Sequence, residues 1–442
     1  MSAQLCWKID GNGAVGGRIT VPGDKSISHR SLLFSALADG SSRIVGLSRG
    51  EDCVATANAL RRLGVSISDV GEQTVVRGCG IKGLTSNGHV ELDCGNSGTT
   101  MRLMLGVLAG QPGVVATLTG DESLSRRPMG RVVEPLSRMG AHVRALGPSQ
   151  RPPVEIRGAA LHGAEHWTDV ASAQVKSALL LAGLLADGRT SVCEPSQSRD
   201  HTERMLQSRG VVVHRDGRKV SVAGGQSILP QDIAIPGDLS AASFFWVLGA
   251  ILSDSGVYVN NVGINPTRTG IVDVLATTGA AVEISDVITE GGEPAAVIGV
   301  RRSHLSAFEI GGVLVPRLVD EIPVLSVLAT QATGETVIRD AAELRVKESD
   351  RISAIYEMLV RMGASVSEEE AGLRIVGPCV LKGTEIDSHG DHRIAMAGAV
   401  AALAASGTTL IRNVECVDTS FPGFLQCLRS VAPGARIDSF WG

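Results

Sequence analysis

The segment Ala36-Leu-Ala-Asp-Gly40 ends an apolar helical run with a glycine and leads into an apolar strand. Glycine is the residue that most easily adopts the left-handed conformation in which helices end. The same pattern occurs six times, at glycines that are 73, 75, 68, 78 and 73 residues apart. The six copies are Ala36–Gly40, Val107–Gly113, Leu184–Gly188, Ile251–Gly256, Leu328–Gly334 and Leu403–Gly407.

A second glycine stop alternates with the first and leads into another strand, as in Ala141-His-Val-Arg-Ala145. These stops are Leu60–Gly64, Leu136–Gly140, Leu206–Gly210, Leu275–Gly279, Leu359–Gly363 and a weaker Val431–Gly434. The sequence therefore predicts an α/β fold of six strand-helix-strand-helix-strand copies, each of about 70 residues.

The domain organisation follows from the size of this repeat. One copy is too small to bury its own sheet, so the simplest arrangement is two domains of three copies. The turn Pro236-Gly237, near the midpoint, repeats the turn Pro22-Gly23. We expect residues 1–21 and 238–442 to form one domain and residues 22–237 the other, with chain crossings at those turns and a ligand cleft between the domains.

The composition excludes several classes of protein. Of the 442 residues 43% are hydrophobic and 20% charged, and the net charge of −5 argues against a nucleic-acid binder driven by bulk charge. No apolar run reaches the roughly 18 residues of a membrane span, and the N-terminus lacks a secretory signal, so we expect a cytoplasmic protein. The eight cysteines include no Cys-x-x-Cys pair, so neither a disulfide framework nor a zinc site is indicated.

A glycine-rich motif near the N-terminus, Gly11-Asn-Gly-Ala-Val-Gly16, matches the pattern of dinucleotide-binding folds. It is followed by Gly17-Arg-Ile-Thr-Val-Pro22, which is typical of a strand closed by proline and not of the helix that such a site needs. We therefore expect a hairpin between two N-terminal strands and no dinucleotide site.

Cations stand at a predicted helix start in Pro22-Gly-Asp-Lys-Ser-Ile-Ser-His-Arg30. A helix N-terminus carries free N–H groups and partial positive charge, so it usually attracts acidic side chains. A phosphate or carboxylate of a ligand would satisfy both the helix and the cations, whereas a solvated basic turn is the alternative.

Basic or small polar groups recur at equivalent places, in Asp93–Arg102, Leu118–Pro128, Ala171–Lys176, Ser198–Thr202, Leu318–Pro323, Glu343–Arg351 and His389–Arg393. Their recurrence on both halves of the chain predicts sites for small anions.

Several of these segments allow other interpretations. The basic residues of Glu343–Arg351 alternate with acids, as on a salt-bridged helix face. His389–Arg393 contains metal-ligand types, but three ligands within four residues give poor metal geometry, and we expect no metal site. Asp320 and Glu321 suit the dipole of the helix that follows, and Asn96 suits a helix N-cap.

Taken together, six motifs resemble those of the EPSP synthase family, essentially from end to end of the chain. The motifs are Pro22–Arg30, Gly95–Arg102, Arg126–Gly130, Ser172–Ala178, Arg345–Arg351 and Gly390–Met396. The resemblance implies an inverse α/β barrel fold of two domains, each with three βαβαββ units. It also implies an enolpyruvyl transferase of the shikimate pathway, which leads to chorismate and the aromatic amino acids.

The activity implied is transfer of the enolpyruvyl group of phosphoenolpyruvate to the 5-hydroxyl of shikimate 3-phosphate, with release of phosphate and without a cofactor or metal. The implied partners are these two small molecules, with no nucleic acid and no membrane, and we expect a monomer. Both substrates are small anions rich in oxygen, which matches the many cations.

The motif match also implies residue roles. The residues that would hold shikimate 3-phosphate are Lys25, Ser26, Arg30, Ser172, Ala173, Gln174, Arg199, Asp320 and Lys347. Those that would hold phosphoenolpyruvate are Lys25, Gly98, Arg127, Gln174, Arg351 and Arg393. We assign Asp320 as base toward the hydroxyl and Glu348 as acid toward the methylene, with Lys25 assisting.

The chain departs from the commoner family pattern at a few positions and so resembles the divergent second class. Thr419 and Ser420 stand where many members have a lysine, His29 replaces an asparagine, and Ala173 replaces a serine. Gly98 stands where glyphosate-tolerant members carry alanine, so we expect a glyphosate target.

Two other functions fit parts of the pattern. The related transferase acting on UDP-N-acetylglucosamine resembles a chain with a reactive cysteine in the loop that is here Leu118–Pro128, and no cysteine lies there. A scaffold for phosphorylated RNA ends is disfavoured by the acidic balance and the few aromatic residues.

Overall fold

The computed structural model describes residues 4–11 and 13–442, and in that part of the chain six sheets contain four strands each. The strands are β1 (Leu5–Asp10), β2 (Gly17–Thr20), β3 (Ser41–Val45), β4 (Ser66–Val70), β5 (Gln73–Arg77), β6 (His89–Asp93), β7 (Val115–Thr119), β8 (His142–Gly147), β9 (Arg151–Arg157), β10 (Glu165–Trp167), β11 (Arg189–Cys193), β12 (Val213–Asp216), β13 (Lys219–Ala223), β14 (Ile233–Ala234), β15 (Val257–Gly263), β16 (Ala281–Glu290), β17 (Glu293–Arg301), β18 (Glu309–Ile310), β19 (Gly334–Ile338), β20 (Ser365–Glu369), β21 (Gly372–Gly377), β22 (Glu385–Asp387), β23 (Thr408–Arg412) and β24 (Arg436–Trp441).

The α-helices connect these strands. They are α1 (Lys25–Leu37), α2 (Glu51–Arg62), α3 (Gly98–Leu108), α4 (Glu122–Ser125), α5 (Gly130–Arg138), α6 (Ala173–Leu185), α7 (His201–Ser208), α8 (Leu239–Leu252), α9 (Gly270–Thr277), α10 (Val315–Leu318), α11 (Ile322–Ala329), α12 (Arg351–Arg361), α13 (His392–Ala404) and α14 (Phe424–Val431). Short 3-10 helices span Pro148–Gln150, Gly312–Leu314, Ala342–Val346 and Val414–Thr419. In the described ranges, no helix combines the length and apolarity needed to cross a membrane.

The sheet of order β6-β7-β9-β8 illustrates the repeated unit. Its β6 and β7 are parallel and joined through α3, and β9 is antiparallel to both β7 and β8. The helix α5 connects β7 to β8, so the copy is a βαβαββ unit. The predicted α/β fold with six βαβαββ repeats is confirmed. Each repeat contains one hairpin strand more than the strand-helix-strand-helix-strand pattern predicted from the glycine stops.

Two strands pair far from their chain neighbours. Strand β2 lies parallel to β15, whereas β14, which precedes α8, lies parallel to β3. The Pro-Gly turns after β2 and β14 are held in the same way, since Asp24 N donates to the Pro236 carbonyl at 2.7 Å and Asp238 N donates to the Pro22 carbonyl at 2.8 Å. The first and fourth βαβαββ repeats of the chain therefore exchange their first strands: β14 pairs in the first repeat and β2 in the fourth.

The chain forms two compact units. The inner unit contains Gly23–Pro236 and Thr289–Glu293. The terminal unit contains the described residues up to Pro22, together with Gly237–Ile288 and Pro294–Gly442.

In both the inner and the terminal unit, the sheets lie outside a set of buried helices. In the inner unit α1, α3 and α6 are buried on nearly all sides, and in the terminal unit α8, α11 and α13 are. Helix α3 approaches α6 so closely that a Cβ on Gly106 would lie 2.2 Å from the Ala178 carbonyl oxygen, and only glycine fits there. Some strands alternate buried and exposed residues, as β9 does along its whole length. This order of layers is the inverse of the usual α/β arrangement.

The predicted hairpin between the two N-terminal strands is wrong. Strand β1 lies between β23 and β24 and pairs with both in antiparallel register, so neither of its edges is left for β2. Residue 12 of the glycine-rich motif lies outside the described residues. After the motif the chain enters β2, a strand, as the sequence predicts.

One buried cation in the inner unit leads to a stability prediction. Arg209, at the end of α7, is 1% exposed, and its Nη2 donates to Ser35 Oγ at 3.4 Å, while its Nε and Nη1 meet no acceptor in the described part of the chain. Burial lowers the pKa of Arg209 to about 10. An incompletely paired buried charge costs free energy, so Arg209→Met is expected to raise the free energy of unfolding by up to about 4 kcal/mol.

Urea unfolding followed by far-ultraviolet circular dichroism measures this change. Tryptophan fluorescence is unsuitable because Trp167, the tryptophan of the inner unit, is 72% exposed. A loss of more than about 1 kcal/mol in Arg209→Met would contradict the prediction, because it would mean that the guanidinium makes a net stabilising contact.

Candidate functional site

Four helices of the inner unit begin side by side. Lys25 on the first turn of α1 forms an ion pair with Asp52 on the first turn of α2. The hydroxyl of Thr100, on the first turn of α3, donates to the Asp52 carbonyl at 3.2 Å. Gln174 on the first turn of α6 donates through Nε2 to Thr99 Oγ1 at 2.8 Å. Adjacent helix N-termini concentrate free N–H groups and partial positive charge, which suits a bound anion.

Side-chain caps fix where α1, α3 and α6 start. Asp24 accepts from Ile27 N at 2.9 Å, and Ser97 Oγ accepts from Thr100 N at 3.0 Å. The N-cap of α3 is therefore Ser97, and the prediction that Asn96 fills this role is wrong. Asn96 instead accepts from Arg127 Nη2 at 2.7 Å and donates to Asp121 Oδ2 at 2.7 Å, so it orients that arginine.

Two guanidinium groups lie over the start of α3. A Cβ placed on Gly98 would lie 3.0 Å from Arg102 Nη1 and 3.4 Å from Arg127 Nη1. Arg102 also donates to Gln174 Oε1. The structure thus brings the predicted residues Gly98, Arg127 and Gln174 together and adds Arg102. The position of Arg102 in the Gly95–Arg102 motif was the available signal, but the sequence does not reveal that its side chain turns back over the glycine.

Arg30 is held among three helices. Its Nε donates to Thr202 Oγ1 and its Nη2 to Ser177 Oγ, both at 2.7 Å, and its Nη1 donates to the Ser26 carbonyl at 3.0 Å. Burial lowers the pKa of Arg30 to about 10, and the charge of nearby Arg199 acts in the same direction. Arg30 therefore remains a cation at neutral pH, with its fork fixed by α1, α6 and α7. Ser172, the N-cap of α6, and Ala173, its first residue, stand at the start of one of these helices.

His29 faces the helix packing. Its Nδ1 lies 2.7 Å from Thr56 Oγ1, which lies 2.7 Å from Thr100 Oγ1. Burial, with the charges of Lys25 and Arg30, holds the pKa of His29 well below its ordinary value. A neutral imidazole here joins α1 to α2.

In the terminal unit one guanidinium holds three carboxylates. Arg351, the first residue of α12, is 1% exposed. Its Nε donates to Asp391 Oδ2 at 2.8 Å, its Nη2 to Glu348 Oε2 at 2.7 Å, and its Nη1 to Asp320 Oδ1 at 3.3 Å. Although burial opposes it, the charges of Asp391 and Glu348 raise the pKa of Arg351. Asp320 and Glu348 keep 16% and 18% of their side chains exposed, so both can be reached from outside the protein.

Asp391 links this arrangement to the next helix. It caps α13 by accepting from Arg393 N at 2.9 Å. Burial alone would raise the pKa of Asp391, but the charge of Arg351 and its hydrogen bond hold that pKa below its ordinary value. Arg393 in turn donates through Nη1 to the Asp320 carbonyl at 3.1 Å. Asp320 therefore accepts hydrogen bonds from both Arg351 and Arg393.

Lys347 follows the 3-10 helix Ala342–Val346 and is half-buried. Burial lowers the pKa of Lys347, whereas the charges of Asp320 and Glu343 oppose that shift. The predicted residues of this unit thus lie in one electrostatic cluster around Asp320.

For Arg345 the alternative interpretation of a salt-bridged surface is confirmed. Arg345 forms salt bridges with Asp350 at 2.8 Å and Glu368 at 3.0 Å, as on a salt-bridged surface. Glu321 is buried beside Arg268 and accepts from Ser240. Within residues 4–11 and 13–442, no group of three or more His, Cys, Asp or Glu side chains could hold a metal ion.

Thr419 makes a short local contact. The hydroxyl of Thr419 donates to the Cys416 carbonyl at 2.6 Å, within the 3-10 helix Val414–Thr419.

Comparison with known proteins places these motifs in a family. The family model described as EPSP synthase (3-phosphoshikimate 1-carboxyvinyltransferase) matches residues 9–428. The 3-phosphoshikimate 1-carboxyvinyltransferase of Citrifermentans bemidjiense is 50% identical over 418 residues, which are 95% of this chain and 97% of the relative. That of Desulforudis audaxviator is 53% identical over 416 residues, 94% of this chain and 96% of the relative.

Solved structures agree in fold. EPSP synthase from Acinetobacter baumannii is similar with a TM-score of 0.87 and 42% identity, covering 98% of this chain and all of that one. The enolpyruvyl transferase NikO from Streptomyces tendae covers both chains fully with a TM-score of 0.80, but at 20% identity it shares the fold alone. The resemblance read from the sequence motifs is confirmed, and the chain belongs to the EPSP synthase (3-phosphoshikimate 1-carboxyvinyltransferase) family.

Proposed function

We propose that this protein transfers the enolpyruvyl group of phosphoenolpyruvate to the 5-hydroxyl of shikimate 3-phosphate, giving 5-enolpyruvylshikimate 3-phosphate and phosphate. The observation that carries the proposal is the pair Asp320 and Glu348, two accessible carboxylates held on one buried guanidinium, Arg351. Relatives about 50% identical over nearly the whole chain are named for this activity, which supports the same assignment.

Substrate recognition is assigned to both units. The clustered helix starts of the inner unit, with Lys25, Ser26, Arg30, Ser172, Ala173, Gln174 and Arg199, bind shikimate 3-phosphate together with Asp320 and Lys347. Phosphoenolpyruvate is bound by Lys25, Gly98, Arg127, Gln174, Arg351 and Arg393. Arginine forks match the carboxylate and phosphate of these ligands, and a glycine at the start of α3 lets them approach the backbone.

The chemistry requires two proton transfers. Asp320 takes the proton of the 5-hydroxyl while that oxygen bonds to carbon 2 of phosphoenolpyruvate, and Glu348 gives a proton to the methylene carbon. The resulting tetrahedral intermediate loses a proton from the new methyl group and expels phosphate, which restores the double bond. The ammonium group of Lys25 stabilises negative charge on the substrates.

The decisive assay is phosphate release with both substrates present. We expect release that requires both phosphoenolpyruvate and shikimate 3-phosphate and stops when either is omitted. Release with UDP-N-acetylglucosamine in place of shikimate 3-phosphate would instead indicate the related transferase. If calorimetry showed binding of a 5′-phosphorylated RNA oligonucleotide and no phosphate were released, a non-catalytic scaffold for phosphorylated RNA ends would be favoured instead.

Gly98→Ala tests the assignment of the phosphoenolpyruvate group. The new Cβ would approach Arg102 Nη1 to 3.0 Å, a distance at which the arginine must give way, and it would take up space beside Arg127, which is also assigned to phosphoenolpyruvate. Glyphosate is the inhibitor expected to bind at this site, and the added methyl group would crowd it. We therefore expect the inhibition constant of glyphosate to rise at least about tenfold, with a smaller rise in KM for phosphoenolpyruvate. Steady-state kinetics measure both, and a wild-type inhibition constant in the millimolar range would contradict the assignment.

Assembly and location complete the proposal. The protein acts as a monomer in the cytoplasm, with residues 1–21 and 238–442 as one domain and residues 22–237 as the other. Light scattering after size exclusion tests the first point, since a monomer has a mass of 45.9 kDa.

A further inference from the structure

A buried cluster of three charges lies in the inner unit and has no part in the mechanism above. Lys176 Nζ is 3.0 Å from Glu194 Oε2 and 2.8 Å from Glu203 Oε1, and the three side chains are 0%, 1% and 6% exposed. A buried ion pair gives little net stability compared with apolar residues of the same size. The consequence of the cluster therefore lies in the geometry that it fixes.

The cluster fastens one loop to helix α6. Glu194 opens the loop that leads from β11 to α7, and Glu203 lies on the first turn of α7. Between them the Ser198 carbonyl accepts from Lys176 Nζ at 3.5 Å, and Ser198 N donates to Glu194 Oε2 at 3.4 Å. Lys176 thus holds the loop at its beginning, in its middle and just after its end.

The fastened loop carries groups assigned above to shikimate 3-phosphate. Arg199 directly follows Ser198. Thr202, at the start of α7, accepts from Arg30 Nε at 2.7 Å, and its hydroxyl lies 2.6 Å from Ser177 Oγ. A shift of the loop would therefore move Arg199 and release the fork of Arg30.

The charges of the cluster also complement the site. Burial lowers the pKa of Arg30, and the charge of Glu203 opposes that effect more than any other neighbouring group does. The charge of Glu203 therefore favours the charged form of Arg30, which the like charge of Arg199 disfavours.

We propose that Lys176 is a positioning residue for the recognition of shikimate 3-phosphate. It acts through Glu194 and Glu203 on the loop that presents Arg199 and orients Arg30, without touching the substrate. This inference rests on the proposed function.

Lys176→Met tests the proposal, because it keeps the length of the side chain and removes its charge. We expect KM for shikimate 3-phosphate to rise at least about tenfold, while KM for phosphoenolpyruvate changes by no more than about twofold. The matched control is Lys219→Met, which removes a lysine paired with Glu165 on the surface of the same unit, at 39% and 46% exposure. The control is expected to leave both KM values unchanged.

A second variant covers the case in which Lys176→Met does not fold. Glu194→Gln keeps the one-to-one pair of Lys176 and Glu203 but weakens the hold on the start of the loop. KM for shikimate 3-phosphate is expected to rise in the same selective way. Equal rises in both KM values, or an unchanged KM for shikimate 3-phosphate in the folded variant, would overturn the proposal. If the wild type releases no phosphate from the two substrates, it is the proposed function that fails.

Discussion

Glu348→Gln is expected to slow phosphate release by about 10²- to 10⁴-fold, the usual contribution of a positioned acid or base. Glutamine keeps the shape of glutamate and can still accept the hydrogen bond that Arg351 Nη2 makes at 2.7 Å. It cannot supply a proton to the methylene of phosphoenolpyruvate. The KM values should change much less than kcat, because binding is assigned to other residues, and steady-state kinetics with both substrates measure the two effects separately.

The pH dependence separates the acid from the base. A general acid must be protonated, so its titration sets the alkaline limb of the rate profile, and a general base sets the acidic limb. Glu348→Gln should lose the alkaline limb, whereas Asp320→Asn should lose the acidic limb. The reverse pattern would exchange the two roles.

A matched control lies on the same segment of the chain. Glu357→Gln changes an exposed residue of α12 that pairs with Arg361 at 2.9 Å, and we expect its kcat to stay at the wild-type value. If kcat of Glu348→Gln also stays within about threefold of the wild type, Glu348 is not the proton donor.

The repeat could be predicted from the sequence because the signals that end helices are local. A glycine after an apolar helical run, as at Gly140, needs only its own neighbours to adopt a positive φ. The exchange of β2 and β14 was indicated by two matching Pro-Gly turns. By contrast, the place of β1 between β23 and β24 depends on both ends of the chain, and no local pattern encodes it.

The site was predictable as a set of residue types but not as a set of contacts. The motifs name the cations and carboxylates, yet only the packing of α3 against α6 brings Arg102 to Gln174. Asn96 was read as a helix cap because its residue type favours caps, but the neighbouring Ser97 takes that place. Lys176 lies inside a recognised motif, and its two glutamates come from segments 18 and 27 residues further along the chain.

Arg351→Met should lower the free energy of unfolding of the terminal unit by about 3 to 5 kcal/mol, the cost of leaving buried charge without its partner. Asp391 is buried and depends on this guanidinium, through Nε at 2.8 Å. The fluorescence of buried Trp7 and Trp246 follows the terminal unit during urea unfolding. The control is Arg345→Met, whose partially exposed salt bridges should be worth no more than about 1 kcal/mol.

The pH dependence of this loss has a definite sign. In the wild type the pKa of Asp391 lies below its ordinary value, so its contribution to stability is present above the unfolded pKa of about 3.9 and is lost as the pH falls through the folded pKa. Without Arg351, burial dominates and raises the folded pKa, so ionised Asp391 destabilises the variant at neutral pH. The deficit of Arg351→Met should therefore be largest near neutral pH and shrink as the pH falls toward about 4. A deficit that stays constant or grows on acidification would mean that Asp391 is not the charge that Arg351 balances.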